Sequence, residues 1–365
     1  MIALIIGNGG REHALAWKIS QAPNVSKVYV APGNGGTATA DSIIENIDLI
    51  EFDDLVKFAK EKRVDLTIVG PEIPLSNGLV DYFQKNGLKI FGPTQKAAQL
   101  ESSKDFAKKF MVKHGIPTAE HQTFSDIQLA HDYVELKGAP IVIKADGLAA
   151  GKGVVVALTL KEAHDAIDSM LSKNIFGDAG AQVVIEEFLD GEEVSFIAIC
   201  DGETVLPLAS SQDHKRLQDD DLGPNTGGMG AYSPAPIVTD EMHEKIMKQV
   251  ITPTIEGMKK DGVIFKGFLY AGLMINADKQ IKTLEFNCRM GDPETQPILF
   301  RLKSNLYDIL LAATDNNLSD FTAEWEDVYS ITVVMASHNY PSKPRLNDEI
   351  HIPLMVNENC FIFHA

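Results

Sequence analysis

Apolar and polar positions alternate through the first hundred residues in a regular order of strand-like and helix-like segments. Apolar runs at residues 2–6, 27–30, 65–69 and 88–91 predict strands. Stretches with helical spacing separate them, at residues 12–20, 52–62 and 78–86. Strand, helix and strand in this order is typical of a parallel sheet with right-handed crossovers. Ligands of such sheets bind at the carboxyl ends of the strands, so we expect the loops after the four strands to share one edge.

The first of these loops has the sequence GNGGREH. It departs from the dinucleotide fingerprint, because Glu12 stands where a third glycine is required and no acidic residue follows the second strand. A small phosphorylated substrate held by the Gly9 and Gly10 amides and by Arg11 fits better, since glycines let the backbone approach an anion at a helix start. A nicotinamide cofactor and a plain tight turn remain alternatives. Glu72, after the third strand, is predicted to lie at the same edge.

A glycine-rich loop, DGLAAGKG, joins apolar runs at residues 140–145 and 154–157. It resembles a Walker loop but has one residue too few between its glycines, and Gly153 replaces the Ser or Thr that would hold magnesium. A Walker loop also opens a helix, whereas this loop connects two strands. We therefore predict a flap between antiparallel strands that folds over phosphates, with Lys144 and Lys152 as cations. A flexible hairpin with incidental lysines is the alternative.

Two stretches flank this flap in the sequence. Residues 95–114 predict a helix that contains Lys104 and leads to a Gly-Ile-Pro sequence, which marks a domain boundary. Residues 182–189 predict a strand that carries the carboxylates Glu186 and Glu187. A strand edge offers backbone groups to an adenine, and a carboxylate suits ribose hydroxyls. Solvated glutamates and a solvated lysine are the plainer interpretation of these side chains.

A basic cluster and a second glycine-rich loop follow further along the chain. Residues 212–216, QDHKR, form the densest cationic cluster of an acidic protein, and residues 223–230, GPNTGGMG, contain four glycines. So many glycines exclude the interior of a helix or strand. A long glycine-rich loop beside a basic cluster indicates a substrate enclosure.

The sequence EFNCRMGDPE at residues 285–294 ends a predicted β-hairpin. Alternate side chains of an extended chain share a face, so Glu285 and Asn287 are expected on one side. A carboxylate and an amide oxygen suit Mg²⁺, which takes few protein ligands and completes its shell with phosphate and water oxygens. A polar strand end entering a turn is the alternative.

Length and charge narrow the class of protein. The 365 residues suggest two or three domains, and the net charge of −18 argues against a nucleic-acid or anionic-membrane partner. The sequence has no apolar run long enough for a membrane span, and the first residues read as a strand and not as a signal peptide. Three widely spaced cysteines fit a reducing cytosol, so we expect a cytoplasmic protein.

Taken together, these motifs resemble the bacterial glycinamide ribonucleotide synthetases (phosphoribosylamine–glycine ligases), an ATP-grasp family of purine biosynthesis. The resemblance runs along the whole chain and is carried by residues 7–14, 143–153, 212–216, 223–232 and 285–294. Arg-x-Gly-Asp-Pro-Glu at Arg289 is the family signature. Met290 stands where Leu or Phe is usual, a modest apolar exchange. Family members normally continue beyond a Phe-His-Ala sequence like that at residues 363–365, so we expect a truncated C-terminal domain.

The resemblance implies an α/β and α+β multidomain fold. An N-terminal parallel α/β domain is expected over residues 1–102 and an ATP-grasp domain over residues 103–325. A flap subdomain at about 117–190 belongs to the latter, and a partial C-terminal domain covers residues 326–365. The implied reaction converts ATP, glycine and 5-phosphoribosylamine into ADP, phosphate and glycinamide ribonucleotide through a glycyl phosphate, with Mg²⁺ or Mn²⁺ as cofactor. These partners are small molecules, and we expect a monomer.

The resemblance also implies roles for individual residues, and no protein nucleophile is required. Lys144, Lys152 and Arg289 are expected to be catalytic through charge neutralisation, and Glu285 and Asn287 to hold the metal. Nucleotide contacts are expected from Lys104, Lys144, Gly147, Gly151, Lys152, Gly153, Glu186, Glu187, Phe188, Leu189 and Glu193. Substrate contacts are expected from Asn8, Gly9, Gly10, Arg11, Glu72, Asp213, Lys215, Asn225, Thr226, Gly227, Gly228, Arg289, Gly291 and Asp292.

Two other functions compete with this interpretation. A sister ATP-grasp enzyme that uses another carboxylate or bicarbonate would share residues 144–193 and 285–287 but not residues 223–230 or 289–294. A non-catalytic nucleotide-binding module would bind the nucleotide without turnover. Release of ADP with and without glycine separates the three.

Overall fold

The amino-terminal part is a parallel sheet covered by helices. The structure, a computed structural model, describes residues 1–148, 153–172, 182–352 and 359–365. The strands are β1 (Ile2–Gly7), β2 (Lys27–Pro32), β3 (Ile44–Asn46), β4 (Leu66–Val69) and β5 (Ile90–Phe91). The helices are α1 (Gly10–Ser20), α2 (Gly35–Ala38), α3 (Phe52–Lys62), α4 (Glu72–Ser76) and α5 (Leu79–Lys85). The strand order in this described region is β3-β2-β1-β4-β5, and every neighbouring pair is parallel.

The predicted parallel sheet is confirmed, and its carboxyl ends meet at one edge. The Gly33 amide donates to the Gly7 carbonyl at 3.1 Å, and the Gly70 amide donates to the Ile6 carbonyl at 3.0 Å. Three elements escaped prediction: α2 lies where a loop was expected, β3 has only three residues, two of them polar, and α4 contains a proline. All three are too short for their own periodicity to reveal them.

The helix predicted over residues 95–114 is wrong as a single element. It consists of α6 (Gln99–Ser102) and α7 (Lys104–Lys113), which are separated by the extended backbone of Ser103. The Ser103 hydroxyl accepts from the Phe106 amide at 3.1 Å, and Asp146 Oδ1 accepts from the Lys104 amide at 2.6 Å. These acceptors satisfy amides that a helix start leaves unpaired, so a new helix begins here.

The flap subdomain is an antiparallel sheet with two helices on one face. Its elements are β6 (His121–Phe124), α8 (Ile127–Lys137), β7 (Ile141–Ala145), β8 (Val154–Ala157), α9 (Leu160–Ile167), a π-helical turn (Asp168–Ser172) and β9 (Val183–Glu187). The strand order within the described residues is β6-β9-β7-β8. Antiparallel pairing of β7 with β8 confirms the predicted strand–loop–strand arrangement. Gly151 and Lys152 lie outside the described residues.

A central antiparallel sheet lies beside both of these units. The strands after the flap are β10 (Glu192–Asp201), β11 (Val205–Pro207), β12 (Gln212–Asp213), β13 (Arg216–Gln218), β14 (Leu222–Asn225), β15 (Gly230–Ser233), β16 (Lys266–Ile275), β17 (Ile281–Asn287) and β18 (Ser330–Val333). The helices are α10 (Asp240–Ile246), α11 (Thr252–Lys260), α12 (Thr295–Arg301) and α13 (Leu306–Thr314). Strands β11-β10-β16-β17 form the central sheet, β12-β15-β18 a second sheet and β13-β14 a ribbon.

A π-helical turn, Met247–Ile251, lies between α10 and α11. None of the described helices is long and apolar enough to cross a bilayer.

The hydrophobic core joins two of the three units and leaves the third separate. One cluster packs Leu4 and Phe83 of the amino-terminal domain with Phe196 and Leu269 of the central sheet. A second cluster lies on the other face of both sheets. The flap has its own smaller cluster, formed by β6 to β9, α8, α9 and the π-helical turn. The amino-terminal domain and central sheet thus form one base, and the flap packs as a distinct unit upon it.

Candidate active site

The flap, the linker helices and β17 enclose a cavity of about 360 Å³. Most of the residues predicted from the sequence line it. They are Glu72, Lys104, Lys144, Gly147, Gly153, Glu186, Glu187, Phe188, Leu189, Glu193, Asp213, Lys215, Asn225, Thr226, Gly227, Glu285, Asn287, Arg289, Gly291 and Asp292. Residues more than 200 positions apart in the sequence therefore meet at one place.

The amino-terminal loop lies beside this cavity and does not line it. Asn8, Gly9, Gly10 and Arg11 belong to the described residues but are absent from the cavity wall, as is Gly228. The Gly9 amide donates to Glu12 Oε2 at 2.7 Å, so this carboxylate occupies one of the amides that we expected to bind an anion. Arg11 connects the loop to the cavity, because its Nη1 donates to the Met290 carbonyl at 3.3 Å.

Two lysines share one buried carboxylate on the flap side of the cavity. Lys144 Nζ is 3.0 Å and Lys108 Nζ is 2.9 Å from Glu186 Oε2. Burial by itself would raise the pKa of Glu186, but Lys144 and Lys108 outweigh it and hold the pKa below its ordinary value. Burial lowers the pKa of Lys108 to about 8 although Glu186 opposes the shift. Two lysines facing one carboxylate leave one positive charge uncompensated, which suits a polyanionic ligand.

Lys108 was not predicted as a site residue, although its spacing from Lys104 pointed to it. It follows Lys104 by one helical turn, so both side chains project from the same face of α7. Lys104 Nζ donates to the Gly147 carbonyl at 2.8 Å, at the start of the flap loop. Gly147 has a φ of +97°, a conformation that favours glycine at this turn. Helix α7 thus supplies two cations to the cavity.

The carboxylates predicted to contact ribose are already paired. Glu186 is held by the two lysines, and Glu187 pairs with Lys282 and accepts from the Glu120 amide at 2.8 Å. Phe188 and Leu189, directly after β9, line the cavity, and the aromatic ring of Phe188 is partly exposed. Their role as an adenine hinge stays a prediction.

Glu285 and Asn287 lie on β17 and both line the cavity. The Glu285 carboxylate accepts no hydrogen bond from the described residues. Burial would raise its pKa, but the charges of Lys215, Lys144 and Lys104 outweigh burial and lower it. An ionised carboxylate without hydrogen-bond donors, two residues from an amide oxygen, is a donor set that fits Mg²⁺ or Mn²⁺. The described residues contain no group of three or more His, Cys, Asp or Glu side chains arranged for a metal ion.

Arg289 lies between two carboxylates at the end of β17. Its Nη2 is 2.9 Å from Glu101 Oε1, and its Nε is 3.4 Å from Glu72 Oε2, an ion pair without hydrogen-bond geometry. Burial would lower the pKa of Arg289, but Glu101 and Glu72 raise it. Glu101 was not predicted from the sequence. It also accepts from the Cys288 amide at 2.7 Å. This bond joins α6 to residues 285–294, the decapeptide.

A second charged group lies between β10 and β12. Lys215 pairs with Glu193 and lies 3.4 Å from Asp213. Burial raises the pKa of Asp213 to about 6, although Lys215 opposes the shift. The Thr226 amide donates to the Lys215 carbonyl at 2.7 Å, which brings the glycine-rich loop to this group. The enclosure of a small substrate at this group stays a prediction.

The glycine-rich loop also approaches the decapeptide closely. Gly228 has a φ of +127°, and a Cβ built on it would lie 2.3 Å from Pro293 Cδ. Next to this contact, the Ser195 hydroxyl donates to Glu294 Oε1 at 2.8 Å and lies 2.9 Å from the Tyr270 hydroxyl. Sequence reasoning missed Ser195 and Tyr270, because apolar neighbours in long strands conceal them.

This arrangement defines the class of protein. A sequence model described as the ATP-grasp (A) domain of phosphoribosylglycinamide synthetase matches residues 102–295. The structure is also similar to a biotin carboxylase complex from Campylobacter jejuni, with a TM-score of 0.70 at 15% identity over 94% of this chain and 77% of that chain. That likeness shows the fold alone. The protein is an ATP-grasp enzyme.

The amino-terminal residues identify the family. The model of the phosphoribosylglycinamide synthetase N domain matches residues 1–101, so the chain belongs to the phosphoribosylglycinamide synthetase family. A phosphoribosylamine–glycine ligase from Ralstonia nicotianae is 60% identical over all of this chain and 86% of its own length. The crystal structure of such a ligase from Thermotoga maritima gives a TM-score of 0.82 at 33% identity, covering 97% of this chain and 85% of that chain.

Proposed function

We propose that this chain joins glycine to 5-phosphoribosylamine at the expense of ATP, giving glycinamide ribonucleotide, ADP and phosphate in purine biosynthesis. The observation that carries the proposal is that three kinds of group line one cavity. Lys104, Lys108 and Lys144 supply cations. Glu285 and Asn287 supply oxygen ligands. Arg289, the first residue of the family signature, lines the same cavity. A cluster of lysines facing a carboxylate is the charge pattern that suits a bound triphosphate.

The chemistry proceeds in two displacements. A carboxylate oxygen of glycine attacks the γ-phosphorus of ATP, the bond to the bridging oxygen breaks and ADP leaves. The amine nitrogen of phosphoribosylamine then attacks the carbonyl carbon of glycyl phosphate. Phosphate leaves with the electrons of the acyl–oxygen bond, and the nitrogen loses a proton. Both nucleophiles belong to substrates, so the chain contributes positioning, charge neutralisation and exclusion of water.

Individual residues then have distinct tasks. We assign the triphosphate to the lysines of α7 and β7, together with Lys152 of the flap loop. Mg²⁺ or Mn²⁺ at Glu285 and Asn287 would offset the negative charge on the phosphate oxygens when bound. Asp213, Asn225 and Arg289 are assigned to glycine. The amino-terminal loop at Arg11 is assigned to the phosphorylated sugar, because it lies at the carboxyl edge of the parallel sheet, beside the cavity.

We also propose the domain division expected from the sequence, 1–102, 103–325 and a region from residue 326, with a flap subdomain at about 117–190. The separate flap core supports the last boundary. Cys200, Cys288 and Cys360 are free thiols, which suits a reducing cytoplasm. We keep the expectation of a monomer, and the net charge of −18 argues against a nucleic-acid partner.

The test is ADP release with ATP, Mg²⁺ and freshly generated phosphoribosylamine, measured with and without glycine. We expect turnover only when glycine is present. Turnover that does not depend on glycine would assign the chain to another ATP-grasp reaction. Nucleotide binding without any turnover would indicate a non-catalytic module.

A further inference from the structure

Glu101 contacts Arg289 from α6 and also lines the cavity. It lies on α6, the first linker helix, and its side chain is 7% exposed. Oε1 is 2.9 Å from Arg289 Nη2, and Oε2 accepts from the Cys288 amide at 2.7 Å. One carboxylate therefore holds both the guanidinium and the backbone that precedes it.

The other contacts of Arg289 are longer. Its Nη1 donates to the Met290 carbonyl at 3.2 Å, its Nε is 3.4 Å from Glu72 Oε2 without hydrogen-bond geometry, and its Nη2 is 3.5 Å from Asn287 Oδ1. An arginine side chain has several rotatable bonds, so a charged partner at normal hydrogen-bond distance contributes most to a single geometry. Among the carboxylates near Arg289, Glu101 has the shortest contact with it.

The position of Arg289 matters for both ends of the cavity. It is two residues from Asn287, and it shares Glu72 with Arg11, whose Nη2 is 4.0 Å from Glu72 Oε2. The chain Glu101–Arg289–Glu72–Arg11 thus connects the linker helix, the decapeptide and the amino-terminal loop.

We propose that Glu101 is a positioning residue for the ligase reaction, which fixes Arg289 between the nucleotide–metal end and the acceptor end of the cavity. This inference rests on the proposed function. Glu101 itself faces Arg289 and the Cys288 amide and performs no chemical step. Its contribution passes through the guanidinium.

A double-mutant cycle on purified full-length protein tests this role. The variants are Glu101→Gln, which keeps the shape and an acceptor for the Cys288 amide, Arg289→Gln, and the double variant. We expect Glu101→Gln to lower kcat by on the order of 10²-fold, as for a displaced catalytic group. The KM for ATP should stay within about twofold, because the lysine cluster is untouched. The double variant should be no slower than Arg289→Gln alone.

Two further variants complete the design. Glu101→Asp, which keeps the charge but shortens the side chain, should recover part of the lost kcat. Glu256→Gln, an exposed glutamate whose side chain is 62% accessible and pairs loosely with Lys260, is the matched control and should retain parental kinetics. Thermal unfolding of every variant shows whether the fold is kept.

The outcomes separate the two proposals. A parent protein that does not require glycine for turnover refutes the proposed function, whatever the variants do. A glycine-dependent parent with unchanged kinetics in Glu101→Gln refutes the positioning role. Multiplicative losses in the double variant would also refute it, because they would mean that Glu101 acts independently of Arg289.

Discussion

The two ends of the cavity carry opposite kinds of charged cluster. At the flap end, Lys108 and Lys144 converge on a single oxygen of Glu186. At the decapeptide end, Glu72 and Glu101 converge on the single guanidinium of Arg289. At Glu186 two lysines share one carboxylate, whereas at Arg289 two carboxylates share one guanidinium, and Glu72 is also shared with Arg11 at 4.0 Å.

The difference shows how an acidic protein can receive a polyanion. A net charge of −18 repels ATP at long range, so attraction has to be local. Lysine is a compact point charge suited to phosphate oxygens, whereas arginine has a planar fork that carboxylates can orient. The flap end therefore provides positive charge for phosphate oxygens, and the decapeptide end provides a guanidinium held in a defined orientation. Glu285 lies between them, under the charges of Lys215, Lys144, Lys104 and Arg289.

Removal of the carboxylate between the two ends should have the largest effect. Glu285→Ala is expected to lower Mg²⁺-dependent turnover by about 10³-fold or more, because the metal loses its charged ligand. Steady-state ADP release across a Mg²⁺ titration measures it, with circular dichroism to show that the variant is folded. Near-normal activity in a folded variant would refute the ligand assignment.

A neutral residue at the flap end should affect nucleotide binding and turnover together. Lys144→Met is expected to lower kcat/KM for ATP by about 10²-fold, because a charge aimed at the phosphates is lost. Lys161→Met, on an exposed helix position with an 84% accessible side chain, is the matched control. An equal effect of the two substitutions would mean that only net charge matters and not the position of the lysine.

Close approach at the decapeptide end predicts a steric effect. Gly228→Ala should reduce the free energy of unfolding by about 2–4 kcal/mol, since its φ of +127° is strained for alanine and its Cβ would overlap Pro293. Gly262→Ala, with a φ of +74° and open space around the Cβ, carries the backbone strain alone and should cost about 1–2 kcal/mol. Chemical denaturation compares the two variants, and equal losses would exclude the contact with Pro293.

The smallest expected effect is a difference in pH dependence. Burial lowers the pKa of Lys108 to about 8, so this cation is charged at pH 7 and neutral above pH 9. ATP affinity should therefore weaken several-fold as pH rises through about 8. In Lys108→Met this alkaline decline should disappear, and affinity at pH 7 should already be low. Calorimetric titration with ATP between pH 7 and pH 9.5 measures both, and an unchanged decline in the variant would assign it to another group.

Local patterns predicted the framework of the molecule well. The parallel sheet, the flap strands and the cavity-facing decapeptide each follow from periodicity or glycine content over a few neighbouring residues. The break at Ser103 could not be foreseen in this way, because the carboxylate that caps the second helix is Asp146, 42 positions beyond Lys104.

The charged partners were harder to predict for a related reason. Glu101 meets the Cys288 amide across 187 positions, and an isolated glutamate in a helical stretch carries no sign of that contact. Lys108 was within reach of sequence reasoning, because it repeats Lys104 at one helical turn. A lysine pair on one helix face is also common on solvated surfaces, so burial had to decide its role.

The separate core of the flap has a consequence for cooperativity. Helices α8 and α9 pack on a small cluster of their own, while β1 and β16 belong to a core shared by two domains. The flap should therefore open to solvent at a lower free energy than the base, as an independent unit of exchange. In the proposed function ATP contacts both units, so its binding should stabilise the flap as well as the base. Without nucleotide the two units should differ in their opening free energy, and ATP should reduce that difference.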